Sequence, residues 1–282
     1  MQISNDIYSV LEANESQDSI VWLAERIAKI QDSKATKDLF MTYSLLASKF
    51  KATALLDANS KVSESVSLFV SHEASLLEIS RIYLLVKVLE IDANHFGPKV
   101  NSIIEVADTG ELETFLKYLI LLPNPEVFKS TAVEALRTNI ATVFDAITLN
   151  NPYPGTYFND QQWNQMYLKA VFMERNLSMI QAVDERANKD LTRIISDYAH
   201  ERWAASRKID PLFWRPVTGF LNDTLLLDMK RLLSSDDLQE NKAGGLCCFN
   251  SKNDQALKML NQYPQLKDKI ASKEITWNTL KN

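Results

Sequence analysis

VSLFVSHEASLLEISRIYLLVKVLEI, residues 66–91, decides the fold class. Within it Leu76, Ile79, Tyr83, Val86 and Leu89 recur at steps of three and four, the spacing of one face of an α-helix. Ile82, Leu85 and Val88 add a second apolar side, so this helix is expected to lie between other helices. Its richest apolar run, Ile82 to Ile91, is interrupted by Lys87 and Glu90. The run is far short of the roughly 20 residues a membrane span requires, and no transmembrane segment is predicted.

The same period extends outward along the chain. Asp18 to Ile30 sets Ile20, Trp22, Leu23, Ile27 and Ile30 in helical rows, and Leu39 to Leu56 does so with Phe40, Tyr43, Leu46, Ala47, Phe50, Ala54 and Leu55. Asp108 with Glu111, and Asn159 with Gln162, have capping-box spacing. Asn124-Pro125 and Asp210-Pro211 each set a cap before a proline at the first helical position. Ser235, Asn253 and Pro264 can open three more helices. No run alternates as a half-buried strand would. The prediction is an all-α chain.

In the C-terminal third, Leu225–Leu233, Asp237–Phe249 and Asp254–Leu260 follow one another across tight polar breaks. That predicts a curved stack of antiparallel helix pairs ending in HEAT/armadillo-like α-solenoid units. Gly244-Gly245 costs a helix roughly 1 kcal/mol per glycine against alanine, and close helix–helix approach is a reason to accept it. Asn150 to Asn159 (NNPYPGTYFN) reads as an ordered loop. Asn94 to Pro98 is a soft boundary, separating an N-terminal helical region, 1–98, from a core, 99–282, unless the two form one continuous domain.

With 282 residues, roughly 75% of the unfolded surface can be buried, so a core needs neither disulfide nor metal. A net charge of −5 gives no global attraction to nucleic acid. Cys247 and Cys248 are neighbours, a separation that disfavours a disulfide; they read as buried thiols of a reducing compartment. MQISNDIYSVLEANESQD lacks the basic start and apolar run of a signal peptide, and a cytoplasmic protein is expected.

The candidate site lies in Arg137 to Arg207. A helix needing only solubility can use Lys and Glu; Asn, His and Trp need a packing, hydrogen-bonding or binding reason. The ligand- or partner-binding candidates are Arg137, Asn139, Tyr153, Asn164, Lys169, Asp184, Arg186, Asn188, Asp197, His200, Glu201, Arg202 and Trp203. Asp197, His200 and Glu201 can share one helix face, and Arg193 can pair with Asp197. A carboxylate–histidine pair can act as a general base, but such pairs on helices are more often structural. No catalytic residue is assigned. His72, His95 and His200 lack metal-ligand spacing, and no phosphate loop or nucleophile elbow occurs, so no metal and no cofactor is expected. The arginines suit an anionic small molecule, with salt bridges to the nearby acids as the structural alternative.

LRTNIATVFDAITLNNPYPGTYFND, QQWNQMYLKAVF and DERANKDLTRIISDYAHERWAASR, in this order, resemble the EboA-domain family, as do GELETFLKYLILLPNPEVF and the helical tail. The likeness runs over roughly Ile79 to Leu260; before it the chain is similar only in being helical. GGLCC at 244–248 departs from the alanine-rich helix of the family. The resemblance carries over no enzymatic activity and says nothing about the polypeptide's own chemistry. It implies a gene neighbourhood encoding a UbiA-type prenyltransferase, a TatD-like metal hydrolase, a sugar-isomerase-like barrel and a dehydroquinate-synthase-like protein. From it follows the expectation of a non-catalytic scaffold or adaptor in an Ebo-type specialised-metabolite biosynthesis or export pathway, with co-encoded enzymes as partners. The alternative is an enzyme or binding protein for an anionic cyclitol, sugar or isoprenoid phosphate.

Overall fold

The computed structural model describes residues 3–56 and 62–280, apart from the side chain of residue 104. Every regular element among them is a helix; Leu55 and Ser75 form an isolated antiparallel bridge. None of these helices is long and apolar enough to cross a membrane. The chain divides into two compact units, Met1–Ile147 and Thr148–Asn282.

In the first unit the Leu76–Ile91 helix is the hub, packing against Ile3–Asn14, Gln17–Ser33, Ala93–Asn101 and Thr109–Lys117. Both apolar sides are buried, Tyr83 only in part, in keeping with the two-sided pattern. The helix begins later than the periodicity of 66–91 suggests. Ser67–Ser71 is a separate short helix, Glu73 takes a positive φ of 49°, and Ser75 restarts the chain with a capping box to Glu78. The Leu39 to Leu56 expectation is also corrected. The α-helix there is Thr36–Leu45, a 3-10 turn follows, and Leu55 sits in the bridge.

The hub also carries a charge through the core. Arg81 lies 3.7 Å from Glu111, and both are buried. The Arg81 guanidinium sits 5.4 Å from the Tyr43 ring centroid, and the Tyr43 hydroxyl donates to the Glu111 carbonyl at 2.9 Å. Glu111 also joins Asp108 in the expected capping box of Thr109–Lys117.

In the second unit the centre is Pro211–Phe220, ten residues of 3-10 helix. Such runs rarely exceed three or four residues. Pro216, with no N–H and a ring that crowds the preceding turn, disfavours a regular α-helix here. Asp210 still caps, accepting from Leu212 N–H at 2.9 Å. Phe213 and Trp214 are fully buried, and the segment packs against Lys189–Ala204 and Leu238–Asn250. Leu238–Asn250 in turn meets Asp223–Leu233, Asp254–Leu260 and Pro264–Ala271. Its cap is Asp237, not Ser235, whose hydroxyl accepts from Asp237 N–H instead. Asn124 adopts a left-handed φ of 52° without a side-chain capping bond, and a 3-10 turn follows it. NNPYPGTYFN is not wholly a loop: Tyr153–Tyr157 is a short helix.

The glycine pair meets its neighbours closely. A Cβ on Gly244 would stand 2.7 Å from the Leu232 Cβ and 3.2 Å from the Leu233 backbone nitrogen. One on Gly245 would stand 2.7 Å from the Leu266 Cδ2. Cys247 and Cys248 are buried free thiols, and Cys247 Sγ donates to the Trp214 carbonyl at 3.4 Å. Burial pushes the Cys248 thiol up to about 12 and raises Cys247 as well.

Gly244→Ala should therefore destabilise. Overpacking costs about 1–3 kcal/mol, against a helix-propensity gain of at most about 1 kcal/mol. Gly110→Ala, whose Cβ would meet only Asp108 Oδ1 at 3.6 Å, should be neutral or stabilising; urea unfolding of both variants checks the contrast. Neither thiol should react with a disulfide reagent at pH 8 in the native protein, and both should react in denaturant.

Candidate functional site

The structure distributes the thirteen candidate residues over both units. Arg137 and Asn139 belong to Met1–Ile147, where both are exposed; Arg137 pairs with Glu134 at 2.8 Å. The other eleven belong to Thr148–Asn282.

Several of these form bonds between segments. Asn164, on the Asp160–Phe172 helix, and Asn188, the cap of Lys189–Ala204, exchange amide hydrogen bonds at 3.1 and 2.9 Å. Asn188 Oδ1 also accepts from Leu191 N–H, and its Nδ2 donates to the Arg186 carbonyl. Arg186 Nη2 donates to the Phe158 carbonyl at 2.7 Å and to Asp160 at 3.1 Å, with its guanidinium 5.8 Å from the Trp163 ring centroid. Asp184 takes a two-point bond from Arg215, at 2.9 and 2.6 Å, and this bond is the main reason the Arg215 pKa is raised. Tyr153 is fully buried against Tyr157 and Phe158, so it presents no surface to a ligand or partner. Lys169 is half-buried, which lowers its pKa from the ordinary lysine value.

The histidine has a different partner from the one its spacing suggests. Asp197 is exposed and pairs with Arg193 at 3.0 Å, as expected from their i,i+4 spacing. His200 Nε2 instead meets Asp228 Oδ1 at 2.6 Å, and Ser196 donates to Asp228 Oδ2 at 3.0 Å. Asp228 is 3% exposed. Glu201 is exposed, apart from this pair. Trp203 stacks on the buried Trp214, ring centroids 5.4 Å apart, while the Arg231 guanidinium lies 4.2 Å from the Trp203 ring centroid.

Arg202 lies in the wall of a cleft of about 770 Å³, together with Phe172, Arg175, Tyr198 and Ile209. Clefts of this size accommodate small metabolites. A second cleft, about 530 Å³, borders Lys189, Thr192, Arg193, Ser196 and Asp197. Among the described residues no group of three or more His, Cys, Asp or Glu is placed to hold a metal ion.

Reasoning from sequence missed Asp228, Arg215, Arg231 and Arg175. Asp228 had a legible signal. It is a lone acid in register with Leu225, Met229 and Leu232 on the apolar face of its helix. Arg175 stands outside any helix and had none.

Residues 3–218 match the family described as metabolite traffic protein EboA. The chain belongs to the EboA family. The EboA match begins well before Ile79, so the first helices are part of it. It ends at 218, leaving the helices from Asp223 onward outside. No curated protein and no solved structure matches the chain.

His200→Ala should leave the buried Asp228 carboxylate short of a donor and cost about 1–3 kcal/mol, seen as a lower urea midpoint. His200→Gln, which keeps a donor, should recover part of it. A loss below about 0.5 kcal/mol, the range of ordinary surface substitutions, would contradict this role.

Proposed function

We propose that this EboA protein is a non-catalytic helical scaffold or adaptor in an Ebo-type specialised-metabolite pathway. It holds co-encoded enzymes, or an intermediate they share, during biosynthesis or export. The observation carrying this reading is the fate of the polar residues. Asn164, Asp184, Arg186, Asn188 and His200 are each bonded to another segment of the fold. A general acid or base must instead reach a substrate proton. The family description, metabolite traffic, is in keeping with a role beside the chemistry.

Two surfaces support the reading. In the first unit a groove of about 360 Å³ is bordered by Met41, Leu45 and Val106, all exposed, and by Ile103. Clustered apolar side chains left in water suit a partner segment. In the second unit the packing of Leu238–Asn250 against its three helical neighbours supports HEAT-like pairing, an architecture that commonly presents binding surfaces.

A second reading, a binding protein for an anionic cyclitol, sugar or isoprenoid phosphate, is favoured by the cleft that contains Arg175 and Arg202. The first reading is tested by pull-down from a host carrying the co-encoded genes. At least one of the encoded enzymes should be recovered, and Met41→Asp with Val106→Asp should reduce recovery at least fivefold. Recovery of none by the wild type, with a monomeric elution profile, overturns it.

A further inference from the structure

The apolar groove of the first unit adjoins a cationic seam. Two contacts set Gln17–Ser33 antiparallel beside Thr36–Leu45. At one end Lys29 Nζ meets Asp38 Oδ1 at 2.8 Å; at the other the Ser19 hydroxyl donates to the Lys49 carbonyl at 3.4 Å. Between these points lie Trp22 and Arg26 on the first helix, and Met41 and Leu45 on the second. A 3-10 turn carries the second helix on to Lys49, four residues beyond Leu45. Met41 and Leu45 thus border the seam on one side and the groove on the other.

Trp22, half-buried in this seam, gathers two cations. The Arg26 guanidinium lies 5.3 Å and the Lys49 ammonium 5.7 Å from its ring centroid. Neither has an acidic partner among the described residues. Asp38 is taken by Lys29, and the exposed Asp18 and Glu25 make no ion pair with either cation. Glu111, the acid in the lining of the groove, is buried and paired with Arg81. Across the groove from Met41 and Leu45 stand Ile103, Val106 and Ala107. Apolar side chains facing one another across a trough suit an amphipathic helix laid lengthwise, whereas a flat bilayer surface would not reach the floor. From Met41 to Lys49 the trough runs roughly 12 Å at the helical rise, about two turns. Trp and Arg are the residue types that most often dominate interface energies. Cations on one edge select acidic partners and speed their arrival more than they add affinity, which falls to the apolar floor.

We propose that this trough docks an amphipathic helix of a partner protein. The apolar face of that helix enters between Met41 and Val106, and its acidic edge meets Arg26 and Lys49. This specifies the chemistry of the segment held, and it rests on the adaptor reading for the identity of the partner.

The test uses the full chain and a fluorescently labelled synthetic helix of about four turns, with leucines at i, i+3, i+4 and i+7 and glutamates on both edges. One counterpart carries lysines in place of the glutamates, another serines in place of the leucines. By anisotropy at low salt the acidic helix should bind at least tenfold more tightly than either counterpart, and about 0.5 M salt should weaken it at least fivefold. Arg26→Glu combined with Lys49→Glu should reverse the preference between the acidic and basic helices. Val106→Asp, at an exposed position, should weaken both, and urea midpoints verify that each variant folds. Equal binding of the acidic and basic helices, a preference untouched by the double reversal, or no binding at millimolar concentration overturns the proposal. Capture of the chain by phosphatidylglycerol vesicles in place of the helix would make this a lipid-binding face and overturn it too. Peptide binding with the expected pattern alongside a failed pull-down removes only the adaptor reading. A pull-down that succeeds and ignores the double reversal removes only the trough.

Discussion

A carboxylate excluded from water has to be met by donors, and in the second unit that requirement centres on Asp228. Ser196 and His200, one turn apart on Lys189–Ala204, reach it across a helix–helix contact. The same helix starts at Asn188, which is locked to Asn164, and near its end Trp203 stacks on Trp214. The helix is thereby pinned near its start, its middle and its end. This is why a region rich in Asn, His and Trp can be a helical framework rather than a set of reacting groups. Each of those residue types is poor helix material whose cost is offset by a specific bond.

The first unit solves a related problem differently. Its hub helix is apolar on two sides, yet Arg81 points inward, where Glu111 and the Tyr43 ring receive it. Breaking a buried pair of this kind typically costs about 3–5 kcal/mol, because one charge is left without its partner. Since Glu111 also closes the capping box of Thr109–Lys117, one side chain joins the start of that helix to the hub. The backbone follows suit, with Tyr43 holding the Glu111 carbonyl.

The helical class was legible in the sequence because periodicity and capping are local. The boxes at Asp108–Glu111 and Asn159–Gln162 form as their spacing demands. Breaks were harder to read. SHEAS at 71–75 is apolar enough at its flanks to look continuous, and only the positive φ of Glu73 shows where the chain turns. Within the candidate site, pairs close in sequence were legible and distant ones were not. Arg193–Asp197 follows from i,i+4 spacing, whereas His200–Asp228, Asp184–Arg215 and Asn164–Asn188 depend on how helices cross. The cleft escaped notice for the same reason, since Arg202 and Glu240 are far apart along the chain.

The contact between Gly244 and Leu232 has an evolutionary consequence. Where one helix backbone rests directly on the other, the two positions cannot drift independently. A lineage that places a larger residue at 244 should also carry a smaller one at 232, or else a shift of the backbone at Leu233.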